Sequence, residues 1–539
     1  MYTVMKEVKF VSGVNDVVIL NEGTLSTSER YIGPYCIAAG LREAGFSVAV
    51  LDYAFRPHID FESTFWHVAD ENTKFILISN TFLYDNQSKY NNPYDLKTGT
   101  AGYKTQNRIG KENDEVGHRD ARHSGPRALN QKINMIWSYE NKLHEWFGFV
   151  KKIAPNAKII MGGSRTQDIY TIAKTLDISE YKIKDYVDLW YVGFGDKAIA
   201  DICSDWDHWI ERAEDLNGFK FLKMNDNPNK WTKYDIPLNP ITAKDVPNKD
   251  EIIPLEISRG CAFKCKYCDY LNGYSHKMPF DDIKNQFLYY YENYGCESFF
   301  LTTDCFNDNY NFVCGFHEVI KDLPFTPNLT SFARVDLCLK YPDIIDKMIE
   351  SGFIGIWVGI ESLNHKVAKA AGRGIAPEDI KKIIRQFKDA KPDLLIQGNF
   401  IIGLPGETKE SQMETFKWLR NQDLMFCHVN VLTIEPYIED IADMCNYSDY
   451  TIDGSKYGLE EVHFWPEPYW KHATMDRTEA FELLKIFKEE YDPTGNLKEG
   501  YLARAKYMAD ALERELLDHT IIQVKRHNHD FIQANSIKM

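Results

Sequence analysis

The chain has no apolar run approaching the roughly 18 residues that a membrane-spanning helix requires. Its first residues, MYTVMKEVKFVSG, lack a basic start followed by an apolar stretch, so no secretory leader is expected. Positive charge is in deficit, with 63 Lys and Arg against 79 Asp and Glu and a formal net charge of −16. That deficit argues against generic nucleic-acid binding, which draws on clustered Lys and Arg, and leaves only a local basic groove open. Internal repeats, coiled-coil heptads and paired CxxC knuckles are missing as well. The 11 cysteines come without an export signal, which fits a reducing, cytoplasmic setting where clustered thiols bind metal rather than pair. What remains is the composition of a soluble globular protein, 44% hydrophobic and 26% charged over 539 residues. At roughly 150 residues per domain, the length suggests about three domains.

Strand and helix patterns alternate through the first part of the chain. The apolar run Val17 to Leu20, FSVAVLDY (46–53), KFILISNTF (74–82), AKIIMGGS (157–164) and YVDLWYVGFG (186–195) read as strands. YIGPYCIAAGLREAG (31–45) reads as a helix ending at Gly45, with further helices over roughly 131–153 and in DKAIADICSDW (196–206). This predicts a Rossmann-like, doubly wound parallel sheet over 1–230 in an α/β protein. Ligands on such sheets sit at the carboxyl ends of strands, so NEGTLS, SNTF, GGSR and GFGD share one rim. Residues 84–130 hold few apolar side chains and read as a polar insertion, either solvated or a lid that orders over a ligand. A second alternating block, over 231–440, has strand candidates at 251–258, 298–303, 329–335, 355–361, 394–403 and 425–432. Six βα units in succession predict a partial, curved (β/α)6 barrel. The rest, 441–539, is expected to be a mostly helical cap. Its aromatic stretch HFWPEPYWKH (463–472), with Trp465, Tyr469 and Trp470, either packs that cap or lines a cavity.

The sharpest local signal is SRGCAFKCKYCDY, where Cys261, Cys265 and Cys268 follow the first barrel strand with CxxxCxxC spacing. Three thiolates on one loop can hold three irons of a cuboidal 4Fe-4S cluster and leave the fourth iron without a protein ligand. An open metal position marks catalytic rather than structural sites. A zinc ion completed by a distant Cys or His, a non-catalytic binding module, or three unrelated thiols would share the same spacing.

The cysteines do not stand alone. EISRGC (256–261), CxxxCxYC, TTDCFN (302–307), ARVD (333–336), GIES (359–362) and GLPGET (403–408) occur in an order that resembles the radical S-adenosylmethionine (SAM) superfamily. The resemblance implies a 4Fe-4S cluster on Cys261, Cys265 and Cys268, with SAM chelating the fourth iron. Reductive cleavage of SAM would then give a 5′-deoxyadenosyl radical, with electrons from a donor such as flavodoxin or ferredoxin. It also implies site residues. Tyr267 would set its backbone against the adenine edge, and Thr303 and Asp304 stand where many relatives bind the SAM amino group. Arg334 would fork the SAM carboxylate, Glu361 and Ser362 would contact its ribose or amino acid part, and Gly403 would shape a turn beside it. The other cysteines, Cys305 among them, read as small buried hydrophobes with no auxiliary cluster.

GPYCIAAGLREAGFSVAVLD (33–52), IIMGGSRTQ (159–167) and DLWYVGFGDKAI (188–199) resemble the cobalamin-binding domains found upstream of such barrels. Gly162 and Gly163 are the implied corrin-facing positions. The cobalt-ligating histidine of other cobalamin enzymes is missing from NEGTLSTSER, as it is from many radical SAM relatives. The combination implies cobalamin-dependent methylation of an unactivated carbon on a small-molecule or peptide substrate. The alternative is a radical SAM enzyme without corrin, whose first domain recognises substrate. Methylthiotransferases carry three more clustered cysteines in their first domain, where this chain has only Cys36 and Cys203.

Overall fold

Runs that stay apolar at consecutive positions suit strands buried on both faces, and the protein forms its parallel strands there. The computed structural model describes residues 15–21, 31–51, 65–80, 146–179, 181–224, 236–270 apart from 246, 248 and 250, 273–421, 426–444, 446–463 and 469–491. The 84–130 insertion, most of NEGTLSTSER, Trp465 and the YLARAKYMADALERELLD segment lie outside them. Of the helix expected over 131–153, residues 146–153 are described and are helical.

β1 (Val17–Leu20), β2 (Val48–Leu51), β3 (Phe75–Ser79), β4 (Lys158–Gly162) and β5 (Leu189–Val192) form the predicted parallel sheet. Sequence reading had no counterpart for a hairpin, β6 (Glu214–Leu216) and β7 (Phe219–Lys223), that extends it to the order β2-β1-β3-β4-β5-β7-β6. The hairpin turns on Asn217 and Gly218 at φ 58° and 85°, the left-handed pair a two-residue type I′ turn requires. Alternate side chains of the sheet enter different cores. Val18, Ile76, Ile159 and Trp190 pack with Phe147, Ile169 and Phe221 on one face. Ile19, Leu77, Ile160 and Leu189 join a core that continues through Ile253, Leu255 and Phe299 of the second sheet.

The second sheet runs β15-β14-β13-β12-β11-β8, all parallel and in strict chain order. Its strands are β8 (Ile252–Leu255), β11 (Ser298–Leu301), β12 (Asn328–Ala333), β13 (Phe353–Glu361), β14 (Leu395–Ile402) and β15 (Phe426–Val431). Helices between them bury Ile283, Phe287, Phe316, Ile345, Ile383 and Phe416 against the convex side. The first barrel strand is shorter than expected, ending at Leu255. Ser258–Cys261 (β9) instead pairs antiparallel with Tyr274–Lys277 (β10), a polar hairpin that holds the cysteine loop at its end.

The described part of the C-terminal region is helical at Asp449–Asp453, Gly454–Tyr457, Arg477–Ile486 and Phe487–Tyr491. It adds a small antiparallel sheet that the sequence reading did not foresee, β16 (Leu459–His463), β17 (Tyr469–His472) and β18 (Met475–Asp476). Trp470 and His472 alternate with the exposed Lys471, a period of two that suits a strand. Helix Arg477–Ile486 follows, started by a reciprocal capping box between Asp476 and Glu479.

Candidate active site

Cys261 closes β9, Cys265 is buried in the turn beyond it, and Cys268 donates its backbone N–H to the Cys265 carbonyl at 3.2 Å. Carboxylates anchor this loop. Asp304 accepts the Gly260 N–H at 3.0 Å, and Asp308 accepts the Ala262 N–H at 3.1 Å while pairing with Lys277 at 2.7 Å. Farther round, Asp269 accepts the Ser448 N–H at 2.7 Å and Lys266 pairs with Asp449 at 2.6 Å, tying the loop to the C-terminal region. Burial pushes the Cys268 thiol up to about 12. A hydrogen bond with Cys305 pulls the Cys261 thiol below its usual range.

Cys305 has the burial expected of a small hydrophobe. It sits fully buried beside Cys261, with its sulfur 3.6 Å from Asn307 Oδ1. Among the described residues no three His, Cys, Asp or Glu side chains converge on a single ion. A cuboidal cluster takes one thiolate per iron rather than several donors on one ion, and a loop of three cysteines anchored by its backbone fits that donor pattern.

The SAM-facing expectations separate into groups. Glu361 ends β13 at φ 67°, a left-handed conformation that a non-glycine residue holds only under constraint, and a register shift marks the same place. Its carboxylate lies 3.1 Å from Arg373, whose Nε donates to Tyr267 Oη at 3.0 Å. Burial raises both the Glu361 carboxyl and the Tyr267 phenol. Ser362 donates to the buried Glu407 at 2.6 Å. Thr303 shares its hydroxyl with Ser258, at 2.5 Å. Asp304 keeps an exposed surface, yet desolvation by the surrounding protein lifts its carboxyl to about 6 against the lowering effect of the Gly260 N–H.

Arg334 departs from the carboxylate-fork expectation. Its Nε and Nη2 are both engaged by Asp336, at 2.9 and 2.5 Å, so the fork is already filled. The remaining Nη1 stands 3.4 Å from Cys265 Sγ, and the guanidinium lies 3.7 Å over the Phe263 ring. Arg334 thus addresses the cysteine loop. Gly403, at φ 92°, has the Trp470 indole where a side chain would stand, so a ligand can meet only its backbone. Trp470 donates to the Leu432 carbonyl at 2.8 Å, the packing role rather than the cavity-lining one.

Sequence reading missed Arg373, Asp308 and Glu407. Glu407 was visible inside GLPGET. Arg373, in AAGRGI, carried no signal of its own because its partners are 12 and 106 residues away.

On the first sheet, Gly162 and the exposed Gly163 stand at the end of β4, with Gly163 at φ 101° before helix Ser164–Thr175. After β5, the GFGD turn delivers Asp196. That carboxylate binds Arg259 at 2.8 and 3.1 Å, and Arg259 also binds Glu256 at 2.5 and 2.8 Å. Arg259 is two residues from Cys261, so the rim of one sheet is bolted to the cysteine strand of the other.

Comparison with known proteins agrees with this geometry. Residues 255–419 match the Radical SAM superfamily. A tRNA-2-methylthio-N(6)-dimethylallyladenosine synthase of Petrotoga mobilis is 25% identical over 55% of this chain and 64% of its own length. An uncharacterised methyltransferase of Pyrococcus horikoshii is 24% identical over 53% of this chain and 62% of its own. The chain thus spans somewhat under two thirds of these relatives. The fold is similar to that of the radical SAM methyltransferase TsrM from Kitasatospora setae, solved with tryptophan substrate and a SAM analogue. That likeness has a TM-score of 0.52 and 13% identity, over 84% of this chain and 79% of that one. Residues 255–419 are a radical SAM domain, an enzyme domain whose cofactors are a 4Fe-4S cluster and SAM. No helix among the described residues is long and apolar enough to cross a membrane.

Proposed function

We propose that the protein is a cobalamin-dependent radical SAM methyltransferase acting on an unactivated carbon of a small-molecule or peptide substrate. Cys261, Cys265 and Cys268 hold the cluster, and Asp304, Glu361, Ser362 and the Gly403 backbone surround SAM. When bound, the cluster and SAM supply a carbon radical, and a corrin supplies a transferable methyl group. The protein's part is to orient these groups and exclude water. The observation that carries the reading is the Asp196–Arg259 bridge at 2.8 Å. It ties the turn after β5 to the strand that ends in Cys261, which supports a corrin held on the β4 and β5 rim, with Gly162 and Gly163, facing the SAM site.

The tRNA methylthiotransferase relatives suggest a different outcome. Such enzymes need a second set of clustered cysteines in the first domain. Here Cys36 and Cys203 are both buried and lie on separate helices. Purified protein is expected to show a corrin absorption band after incubation with hydroxocobalamin and desalting. A spectrum with iron–sulfur absorbance but no retained corrin would leave a radical SAM enzyme whose first domain serves substrate recognition instead.

A further inference from the structure

The concave side of the second sheet carries side chains that none of the roles above uses. On β12 the outward residues Leu329 and Ala333 are buried in the core, so Thr330, Phe332 and Arg334 face inward. Phe332 is 37% exposed although it stands in the middle of a sheet. Its neighbours on the same side are Phe300 and Trp357, with ring centroids 6.2 and 5.6 Å away, and the latter two are 5.8 Å apart. Arg334 follows Phe332 by two residues, so this aromatic layer lies about 7 Å, one side-chain repeat, below the level of the cysteine loop.

Beside the rings runs a directional hydrogen-bond relay. Trp357 Nε1 donates to Gln397 Oε1 at 3.1 Å, and Gln397 Nε2 donates to Asn399 Oδ1 at 3.0 Å. The indole can only donate, which fixes the amide orientation of Gln397 and then of Asn399. Asn399 is partly exposed and ends the relay, so that its Nδ2 is the donor the chain of amides leaves over.

We infer that this layer binds the substrate, and that the substrate carries a planar aromatic ring with a hydrogen-bond acceptor, such as a carbonyl, near the ring edge. The exposed face of Phe332 takes the ring in stacked or edge contact. Asn399 Nδ2 supplies the donor that an acceptor satisfies and a second donor does not. The inference rests on the radical SAM reading of the barrel, because it takes the cavity below the cysteine loop as the place where the reacting carbon is presented.

The test uses full-length, cluster-reconstituted protein in anaerobic equilibrium dialysis with three probes: indole-3-acetamide, 3-methylindole and cyclohexylacetamide. Indole-3-acetamide is expected to bind about tenfold more tightly than 3-methylindole, the scale of one net hydrogen bond. Cyclohexylacetamide is expected to bind more weakly than both. Phe332→Ala should weaken indole-3-acetamide by tenfold or more, and Phe332→Tyr should restore it. Asn399→Leu, which has neither donor nor acceptor, should erase the preference for the amide-bearing probe. Equal binding of the ring and cyclohexyl probes, or unchanged binding in folded Phe332→Ala, overturns the inference. So does competition by SAM, which would make the layer an adenine pocket. Iron–sulfur absorbance and 5′-deoxyadenosine release by the wild-type protein report separately on the cluster. If these hold while the probes fail, only the substrate inference falls.

Discussion

The two parallel sheets are built from the same βα unit, yet they leave different surfaces free. In the first, the order reverses on either side of β1, so chain crossovers cover both faces and only the carboxyl rim is open. In the second, the strands follow chain order without reversal, so every helix falls on one side and the concave face stays uncovered. A reversed order makes a rim site for a ligand lying across strand ends. An unreversed order makes a hollow in which side chains from several strands converge. The protein joins one of each, rim to hollow, through Asp196 and Arg259.

The largest effect expected from breaking this arrangement is at the hollow. Cys265→Ala should lose the iron–sulfur absorbance and abolish 5′-deoxyadenosine formation, while Cys305→Ser should keep both. Cluster loss in Cys305→Ser would mean a fourth thiolate closes the site, and the hollow would then have no open iron. Arg259→Met tests whether the sheets form one unit. It removes the guanidinium that binds both the partly buried Asp196 and the buried Glu256, and chemical denaturation should show a loss of about 3 kcal/mol. Two separate unfolding transitions in the wild type would contradict the single-unit picture.

Gly403→Ala sharpens the contrast within the second sheet. A methyl there strikes the Trp470 ring and must adopt φ 92°, so a fall of roughly 2–3 kcal/mol is expected without a change at the first sheet's rim. The smallest effect is a pH dependence. Burial holds His428 at about 4, with Lys488 adding to the depression and Asn430 opposing it. The unfolded chain takes up a proton below about 6.5 and the folded chain does not until about 4, so stability is lost as pH falls through that window. His428→Asn should flatten that acid limb, a difference of roughly 3 kcal/mol at most. An unchanged limb would mean that the hollow is wetter around β15 than its packing indicates.

How much of this was legible in the sequence follows from what kind of interaction built each part. The parallel strands were readable because burial on both faces makes them continuous apolar runs. The β9–β10 hairpin was not, since SRGC and YSHK are polar and their pairing is set by the turn between them. The β6–β7 hairpin was missed although Asn217-Gly218 is a two-residue turn signal, because the strands beside it are only three and five residues long. The C-terminal sheet was hidden by aromatic residues whose period of two spans only a few positions. At the site, the cysteines were visible through spacing. The pairing of Arg334 with Asp336, only two residues on, was not foreseen, because sequence spacing does not show which way a fork turns in the fold. Arg373 was invisible, because its role exists only once Tyr267 and Glu361 are brought to it.

The Asp196–Arg259 bolt also bears on how such proteins can be recombined. A first domain transplanted from a relative will dock on this barrel only if it brings an acid at the position of Asp196. Without one, Arg259 keeps only its bonds to Glu256 on its own side of the junction, and the charge link between rim and hollow is lost.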